Sequence, residues 1–221
     1  MTEPIIPAKL EWGEDGLPRS AAYGDVYFSN EGGLDEARHV FVHGNHLQQR
    51  LEDNTRMVVG EIGFGSGLNF LALWQMWEQL APANARLCFF TAEKHPLMLE
   101  DMARIHAHFP EIAPYAEALR AALPFHTPGY HRVYLAGGRI QLTLMYGDAL
   151  EMLQAQEAQA DAWFLDGFAP RLNPALWSNQ LLAEIRRLSA PGATLATFST
   201  ARTTLDAVTD AGFTVEKAPG F

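Results

Sequence analysis

Met57-Val58-Val59-Gly60-Glu61-Ile62-Gly63-Phe64-Gly65-Ser66-Gly67-Leu68-Asn69-Phe70 is the stretch that decides the fold. Its apolar first half breaks into alternating glycines, and the apolar-periodic stretch Leu71–Leu80 follows at once. This order predicts a buried strand, a tight turn and a helix, which together form the first unit of an open α/β sheet. The glycines permit a sharp turn and let a ligand approach the backbone closely, at the positive end of the helix dipole.

The spacing of these glycines distinguishes between ligands. A dinucleotide-binding turn, G-x-G-x-x-G, would need glycine at position 68, where this chain has Leu68. The strand also ends in Glu61, whose negative charge disfavours a pyrophosphate. A cationic or zwitterionic ligand suits an acid better, and S-adenosylmethionine carries an ammonium and a sulfonium beside its adenosine. We therefore predict S-adenosylmethionine as the cofactor, although glycines alone also occur in ordinary strand-to-helix turns.

Composition describes an ordinary globular chain of one domain. It has 221 residues, 48% hydrophobic and 19% charged, with no apolar run long enough to span a bilayer. The single cysteine, Cys88, precludes an internal disulfide, and the N-terminus lacks the features of a secretion signal, so we expect a cytoplasmic protein. The net charge of −10 argues against a basic face that grips nucleic acid through phosphates.

Two segments are expected within this domain. Residues 1–55 form an N-terminal cap with short strands at Val26–Ser29 and His39–Val42, packed over the carboxyl edge of the sheet. Residues 56–221 form the sheet domain, a mostly parallel sheet with helices on both faces. Its further strands are expected at Leu87–Ala92, Tyr130–Leu135, Ile140–Tyr146, Ala162–Leu165, Ala193–Phe198 and Phe213–Glu216. Its further helices are expected at 96–108, Ala113–Ala122, Ala149–Gln159, Pro174–Leu188 and Thr203–Ala211.

Four expected strands end in acids, namely Glu61, Glu93, Asp148 and Asp166. The carboxyl ends of parallel strands meet at one edge of a sheet, so these acids should converge on one crevice. Glu61 would face the methionine end of the cofactor, Glu93 the ribose hydroxyls and Asp148 the exocyclic amine of adenine. The predicted cofactor site comprises Glu61, Gly63, Phe64, Gly65, Gly67, Asn69, Glu93, Lys94, Asp148 and Ala149. No metal site is predicted, because the spacing of His39, His43 and His46 matches no familiar ligand pattern.

The segment Asp166-Gly167-Phe168-Ala169-Pro170 is the candidate acceptor site. It would lie across the crevice from the glycine turn, where a group that receives a methyl would sit. The pattern is similar to the D/N-P-P-aromatic signature of amino methyltransferases, with Gly167 in place of a proline. Asp166 could hold an amine and accept its proton, and its carboxylate should stay ionised beside a sulfonium. A plain β-turn with a buried aromatic is the alternative.

Several segments resemble one known family almost from end to end. They are Asp25–Ser29, Glu61–Phe70, Asp161–Pro170 and Asn173–Trp177. They are similar to the methyltransferase domain of the MnmC family of bifunctional tRNA-modification enzymes, and the W-F-L-D-G-F-A-P string is the most specific part. The resemblance implies a Rossmann-like class I fold that methylates the aminomethyl arm of a wobble uridine in tRNA with S-adenosylmethionine.

The resemblance carries further expectations. Phe28, Arg171, Gly167 and Phe168 should help Asp166 to position the substrate. An FAD-dependent oxidoreductase domain commonly follows in the family, so tRNA and such a domain are the expected partners, with FAD bound only if that domain is attached. Family members also continue into a basic stretch and a last strand beyond residue 221, which suggests a trimmed chain. Two alternatives stay open, a small-molecule amine methyltransferase or polyamine aminopropyltransferase, and a docking module without activity.

Overall fold

The computed structural model describes residues 4–28 and 32–220. The strands among these residues are β1 (Leu10–Trp12), β2 (Pro18–Ser20), β3 (Arg56–Ile62), β4 (Arg86–Glu93), β5 (Gly129–Leu135), β6 (Ile140–Tyr146), β7 (Ala160–Leu165) and β8 (Ser189–Ala196). The α-helices are α1 (Gly33–Ala37), α2 (Leu47–Asp53), α3 (Leu68–Leu80), α4 (Leu99–His106), α5 (Ala113–Ala122), α6 (Ala149–Gln154), α7 (Asn179–Arg187) and α8 (Arg202–Asp210). No helix in the described ranges is both long and apolar enough to cross a membrane.

Six of these strands form one sheet in the order β5-β6-β4-β3-β7-β8. All neighbours are parallel except β5, which pairs antiparallel with β6 as the predicted hairpin. In the centre, Ile62 of β3 is in register with Ala92 of β4 and with Leu165 of β7. The residues that follow these three strands therefore lie along the same edge of the sheet.

Helices cover both faces of the sheet, as the sequence predicts. The larger apolar core packs α1 to α5 against one face, and the smaller core packs α6, α7 and α8 against the other. Adjacent side chains of β7 point to opposite faces of the sheet. Phe164 belongs to the larger core and Trp163 to the smaller one, and both are fully buried. Both sides of the central strands are apolar for this reason, which explains why they form continuous hydrophobic runs in the sequence.

The N-terminal segment differs from prediction. The predicted strand His39–Val42 is wrong, because Arg38–His43 forms a π-helical turn. Leu34, Ala37 and Phe41 are buried at helical spacing in the larger core, and this packing outweighs the strand propensity of a short apolar run. The predicted strand Val26–Ser29 is reduced to one antiparallel bridge from Val26 to Arg19, and its last residue lies outside the described ranges.

Other boundaries also shift. The predicted strand Phe213–Glu216 is wrong, since these residues have no strand partner and are largely exposed. The predicted helix Pro174–Leu188 is divided into a 3-10 turn, Pro174–Trp177, and α7. Ser178 separates the two because its side chain accepts a hydrogen bond from the amide of Leu181 at 3.3 Å and caps α7. The short hairpin of β1 and β2 was not predicted.

Candidate active site

A cavity of about 640 Å³ lies over the carboxyl ends of β3, β4 and β7. One side is lined by the glycine turn and by the residues that follow the strands, and the other by the N-terminal segment. The predicted site residues in the lining are Phe28, Gly63, Phe64, Gly65, Asn69, Glu93, Lys94, Asp148, Ala149, Asp166, Gly167 and Phe168. The volume falls within the range usual for small-molecule sites, roughly 300–1,000 Å³.

The glycine turn forms the floor on the side of β3. Gly67 has φ of 78° and precedes the first residue of α3, and its amide donates to the carbonyl of Phe64 at 2.7 Å. A Cβ at Gly67 would stand 2.8 Å from the ring of Phe64, so both the conformation and the space require glycine. Ser66, Leu68 and Asn69 line the cavity, so the N-terminus of α3, with the positive end of its dipole, lies beside it.

Glu93 ties this turn to the end of β4. Its Oε2 accepts a hydrogen bond from the amide of Gly65 at 3.0 Å, and its Oε1 accepts one from the amide of His95 at 2.7 Å. Each carboxylate oxygen has a second lone pair, so Glu93 keeps capacity to accept ribose hydroxyls from the cavity side.

Asp148 and Lys94 lie farther along the same wall. The Nζ of Lys94 is 3.2 Å from Oδ2 of Asp148, and both side chains are about half exposed. Asp148 also caps α6 by accepting a hydrogen bond from the amide of Leu150 at 3.1 Å. The two residues therefore form a polar, solvent-accessible end of the cavity, next to Ala149.

Asn69 bridges two carboxyl groups at the centre of the site. Its Nδ2 donates to Oδ2 of Asp166 at 2.6 Å and to Oε1 of Glu61 at 3.1 Å. Asn69 and Asp166 line the cavity, whereas Glu61 is fully buried beneath it. Glu61 is therefore linked to the cavity wall by the hydrogen bond that it accepts from Asn69.

Burial changes the acidity of both carboxyl groups. Desolvation, followed by the charge of Asp166, raises the pKa of Glu61 well above its ordinary value. Desolvation raises the pKa of Asp166 to about 7, partly offset by the hydrogen bond from Asn69, and the charge of Glu36 raises it further. Burial thus favours the protonated form of Glu61, and Asp166 can gain or lose a proton near neutral pH.

The loop after β7 lies beside the glycine turn and not across the cavity from it as predicted, because β7 is paired directly with β3 and the amide of Asp166 donates to the carbonyl of Ile62 at 3.2 Å. The amide of Ala169 donates to Oδ2 of Asp25 at 3.0 Å, which joins this loop to the N-terminal segment. The ring of Phe168 lies 4.9 Å from Tyr23 and 5.3 Å from Tyr27, centroid to centroid. Phe168 is therefore part of an aromatic cluster at the cavity wall, not an isolated core residue.

Four predicted residues lie at the margin of the site or outside it. Phe28 borders the cavity but is mostly buried, with its ring 5.4 Å from Phe109. Arg171 is exposed and lines a shallower neighbouring concavity with Phe198, outside the main lining. Gly67 and Glu61 support the floor without forming part of the lining.

The sequence analysis did not identify Tyr23, Asp25, Tyr27 or Glu36 as site residues, although all four line the cavity. They come from the N-terminal segment, where no strand end or periodic pattern marks them. The only available signal was that Asp25 and Tyr27 fall within a family-like string.

The chemistry of this site fits S-adenosylmethionine. Glu93 can accept the ribose hydroxyls of an adenosine, and the acids of the site suit the cationic methionine end of this ligand better than a pyrophosphate. Within residues 4–28 and 32–220, no group of three or more histidine, cysteine or acidic side chains is arranged to hold a metal ion. The fold and site thus define an S-adenosylmethionine-dependent methyltransferase.

Comparison with known proteins supports this assignment to the S-adenosylmethionine-dependent methyltransferases. A family model described as "S-adenosyl-L-methionine-dependent methyltransferase" matches residues 110–221, and the chain belongs to this family. It is 52% identical to the tRNA 5-methylaminomethyl-2-thiouridine biosynthesis bifunctional protein MnmC of Pseudomonas aeruginosa, over 97% of this chain and 33% of that protein. It is 50% identical to the protein of the same name from Azoarcus, over 99% of this chain and 34% of that protein.

The chain therefore spans about a third of the length of these relatives. Among solved structures, MNMC2 from Aquifex aeolicus is similar with a TM-score of 0.74 and 22% identity, covering 96% of this chain and 66% of that one. At this level of identity the match supports the fold alone, and it agrees with the mostly parallel sheet described above.

Proposed function

We propose that this chain transfers a methyl group from S-adenosylmethionine to the amino group of a wobble 5-aminomethyl-2-thiouridine in tRNA. The product is 5-methylaminomethyl-2-thiouridine. The main observation in its support is the position of the Asp166 carboxyl group, which lies in the cavity wall beside the glycine turn and accepts a hydrogen bond from Asn69 at 2.6 Å. The names of relatives about 50% identical over nearly the whole chain support the choice of acceptor.

The donor would lie along the glycine turn. Its ribose hydroxyls are assigned to Glu93, its adenine to the wall formed by Asp148 and Ala149, and its methionine end to Gly63 and Asn69. Lys94, Phe64 and Gly65 complete this side of the cavity. When bound, the donor supplies an electrophilic methyl on a sulfonium.

The acceptor amine would lie against Asp166. An alkylammonium has no lone pair, so a proton must leave before the nitrogen can attack. Oδ2 of Asp166 accepts a hydrogen bond from Asn69, and the carboxylate can take the proton of the ammonium. Orientation and exclusion of water then account for most of the remaining acceleration.

The base that carries the amine would contact the aromatic cluster. Phe168, in contact with Tyr23 and Tyr27, offers an apolar ring near Asp166, and Gly167 lets the loop pack against Leu176, where a Cβ would not fit. Base–aromatic stacking is worth about 1–3 kcal/mol. Phe28 supports this wall from the core, and Arg171 lies where a flanking phosphate could reach it.

The proposed partners are tRNA and a second protein domain, and both are inferred from the charge of the chain and the length of its relatives. The chain carries a net charge of −10, so phosphate contacts must come from local arginines or from the rest of a longer protein. Relatives named bifunctional are about three times as long, and an FAD-dependent oxidoreductase domain is the proposed neighbour. A tRNA substrate implies action in the cytoplasm.

Methyl transfer to tRNA tests the proposal directly. Purified chain, labelled S-adenosylmethionine and tRNA from a strain lacking this methylation should yield labelled 5-methylaminomethyl-2-thiouridine on nucleoside analysis. Asp166→Asn should bind the donor within about threefold of the wild type and lose most single-turnover rate. Label in free diamines but not in tRNA would indicate a small-molecule amine enzyme instead, and donor binding without transfer to any amine would refute the assigned reaction.

A further inference from the structure

Three side chains form a continuous buried chain that ends at the acceptor site. Glu61 on β3 is 0% exposed, Asn69 in the first turn of α3 is 5% exposed, and Asp166 follows β7. Asn69 has two amide hydrogens, and the 3.1 Å and 2.6 Å contacts use both of them. Three different elements of the sheet domain are thus joined through one amide.

The surroundings of the second carboxyl oxygen of Glu61, Oε2, favour a protonated side chain. Oε1 accepts the hydrogen bond from Asn69, whereas Oε2 is buried beside the hydroxyl of Thr91, the residue in register with Glu61 on β4. An ionised carboxylate at this position would be a buried charge with only neutral hydrogen-bonding neighbours, which is costly, whereas a protonated acid is uncharged and can donate its hydrogen to the hydroxyl oxygen of Thr91. Burial also raises the pKa of Glu61, which agrees with the neutral form.

A neutral Glu61 fixes the orientation of the Asn69 side chain, which donates both hydrogen bonds. Its carbonyl oxygen accepts one amide hydrogen of Asn69, which fixes the side-chain rotation, and the other hydrogen is then aimed at Asp166. Because Glu61 carries no charge in this form, it does not repel the Asp166 carboxylate. Leu68 and Phe70, on either side of Asn69, are buried in the larger core and hold the start of α3 in place.

We propose that Asn69 is a positioning residue that orients the Asp166 carboxylate toward the acceptor amine, with Glu61 as its buried, uncharged anchor. This rests on the proposed function, and it assigns Glu61 a role different from direct contact with the donor. The charged or titratable groups around Asp166 are Glu61 on β3 and Glu36 on α1, and Glu93 on β4 acts on Glu61.

The first test is a titration that does not depend on activity. Carbon-13 NMR of labelled aspartate, assigned by loss of the signal in Asp166→Asn, gives the pKa of Asp166 in the protein without ligands. Asn69→Leu removes both donors and should raise that pKa by about one pH unit or more. Asn69→Ser retains a single hydroxyl donor and should cause a smaller rise, which keeps the test usable if the leucine variant does not fold.

The matched control is Asn173→Leu, which removes an amide from another part of the cavity wall. It should leave the pKa of Asp166 unchanged. An unchanged pKa in both Asn69 variants, or an equal rise in the control, would overturn the positioning role while leaving the proposed reaction intact.

The second test distinguishes an anchor from a donor ligand. Glu61→Gln keeps a carbonyl acceptor for Asn69 and carries no charge, so donor affinity by calorimetry should remain within about threefold of the wild type, and the pKa of Asp166 should shift less than in Asn69→Leu. Asn69→Leu should lower single-turnover rate at least tenfold and shift its pH profile upward. A tenfold loss of donor affinity in Glu61→Gln would show a charged contact with the donor and overturn the proposal. Absence of methyl transfer to any tRNA by the wild type would instead refute the proposed function.

Discussion

The main-chain oxygen of Asp166 lies so close to Gly63 that a Cβ on that residue would overlap with it. Gly63 follows β3 and Asp166 follows β7, and these strands are neighbours in the sheet. The amide of Gly63 donates to the carbonyl of Ala92 on the other side, at 3.0 Å, so Gly63 cannot move away without breaking that bond. The glycine turn and the loop after β7 are therefore in direct backbone contact.

Gly63→Ala should separate these two halves of the site. Its φ of 87° already strains an alanine, and the contact with the Asp166 carbonyl adds a steric clash. We expect a loss of roughly 3 kcal/mol or more in the free energy of unfolding, measured with urea. Gly192→Ala is the control, because Gly192 has φ of 77° but open space around it, and should lose only about 1–2 kcal/mol. Equal losses would argue against the clash.

Glu93→Gln should weaken donor binding. A glutamine has one acceptor oxygen, so its NH₂ group would face the amide of either Gly65 or His95 and the glycine turn would lose one tie to β4. We expect affinity for S-adenosylmethionine to fall at least about tenfold by calorimetry. Glu100→Gln, an exposed residue of α4, is the control and should bind as the wild type does.

The raised pKa of Asp166 predicts a pH-dependent stability. Its value is about 7 in the folded chain and ordinarily 3.8, so between these pH values the folded state holds a proton that the unfolded state has released. The free energy of unfolding should therefore decrease as pH rises from about 4 to 7. Asp166→Asn does not titrate and should show a flatter profile in urea unfolding. Glu61 contributes with the same sign, so adding Glu61→Gln should flatten the profile further. A wild-type profile that rises relative to the variants would contradict the assignment.

Phe168→Leu should affect the acceptor and not the donor. The substitution removes the ring that contacts Tyr23 and Tyr27 but keeps an apolar side chain. Loss of one base–aromatic contact, about 1–3 kcal/mol, should weaken binding of the tRNA substrate about tenfold in a filter-binding assay, with donor affinity unchanged. Phe125→Leu is the control, since Phe125 is 91% exposed and lies outside the cavity lining. An equal loss of tRNA affinity in Phe125→Leu would show that the effect is not specific to Phe168 and would contradict the prediction.

The sequence was most informative about the sheet. Strands such as β4 and β7 are buried on both faces, so they appear as short apolar runs, and the acids that follow them necessarily lie at the carboxyl edge. The placements of Glu93 and Asp166 followed from this rule alone. The N-terminal segment was less predictable because its apolar runs are short, and only packing against α3 determined that Phe41 lies in a helical turn.

What the sequence determined by itself is the sheet, the glycine turn and the edge that the acids share, because periodicity and strand ends are properties of the chain in order. Only the tertiary structure decided that Asn69 bonds both Glu61 and Asp166, that Glu61 is buried beneath the cavity, and that Tyr23 and Tyr27 reach Phe168. These are contacts between side chains from elements distant in sequence. Their distances depend on how the layers pack, and no local pattern in the sequence specifies that.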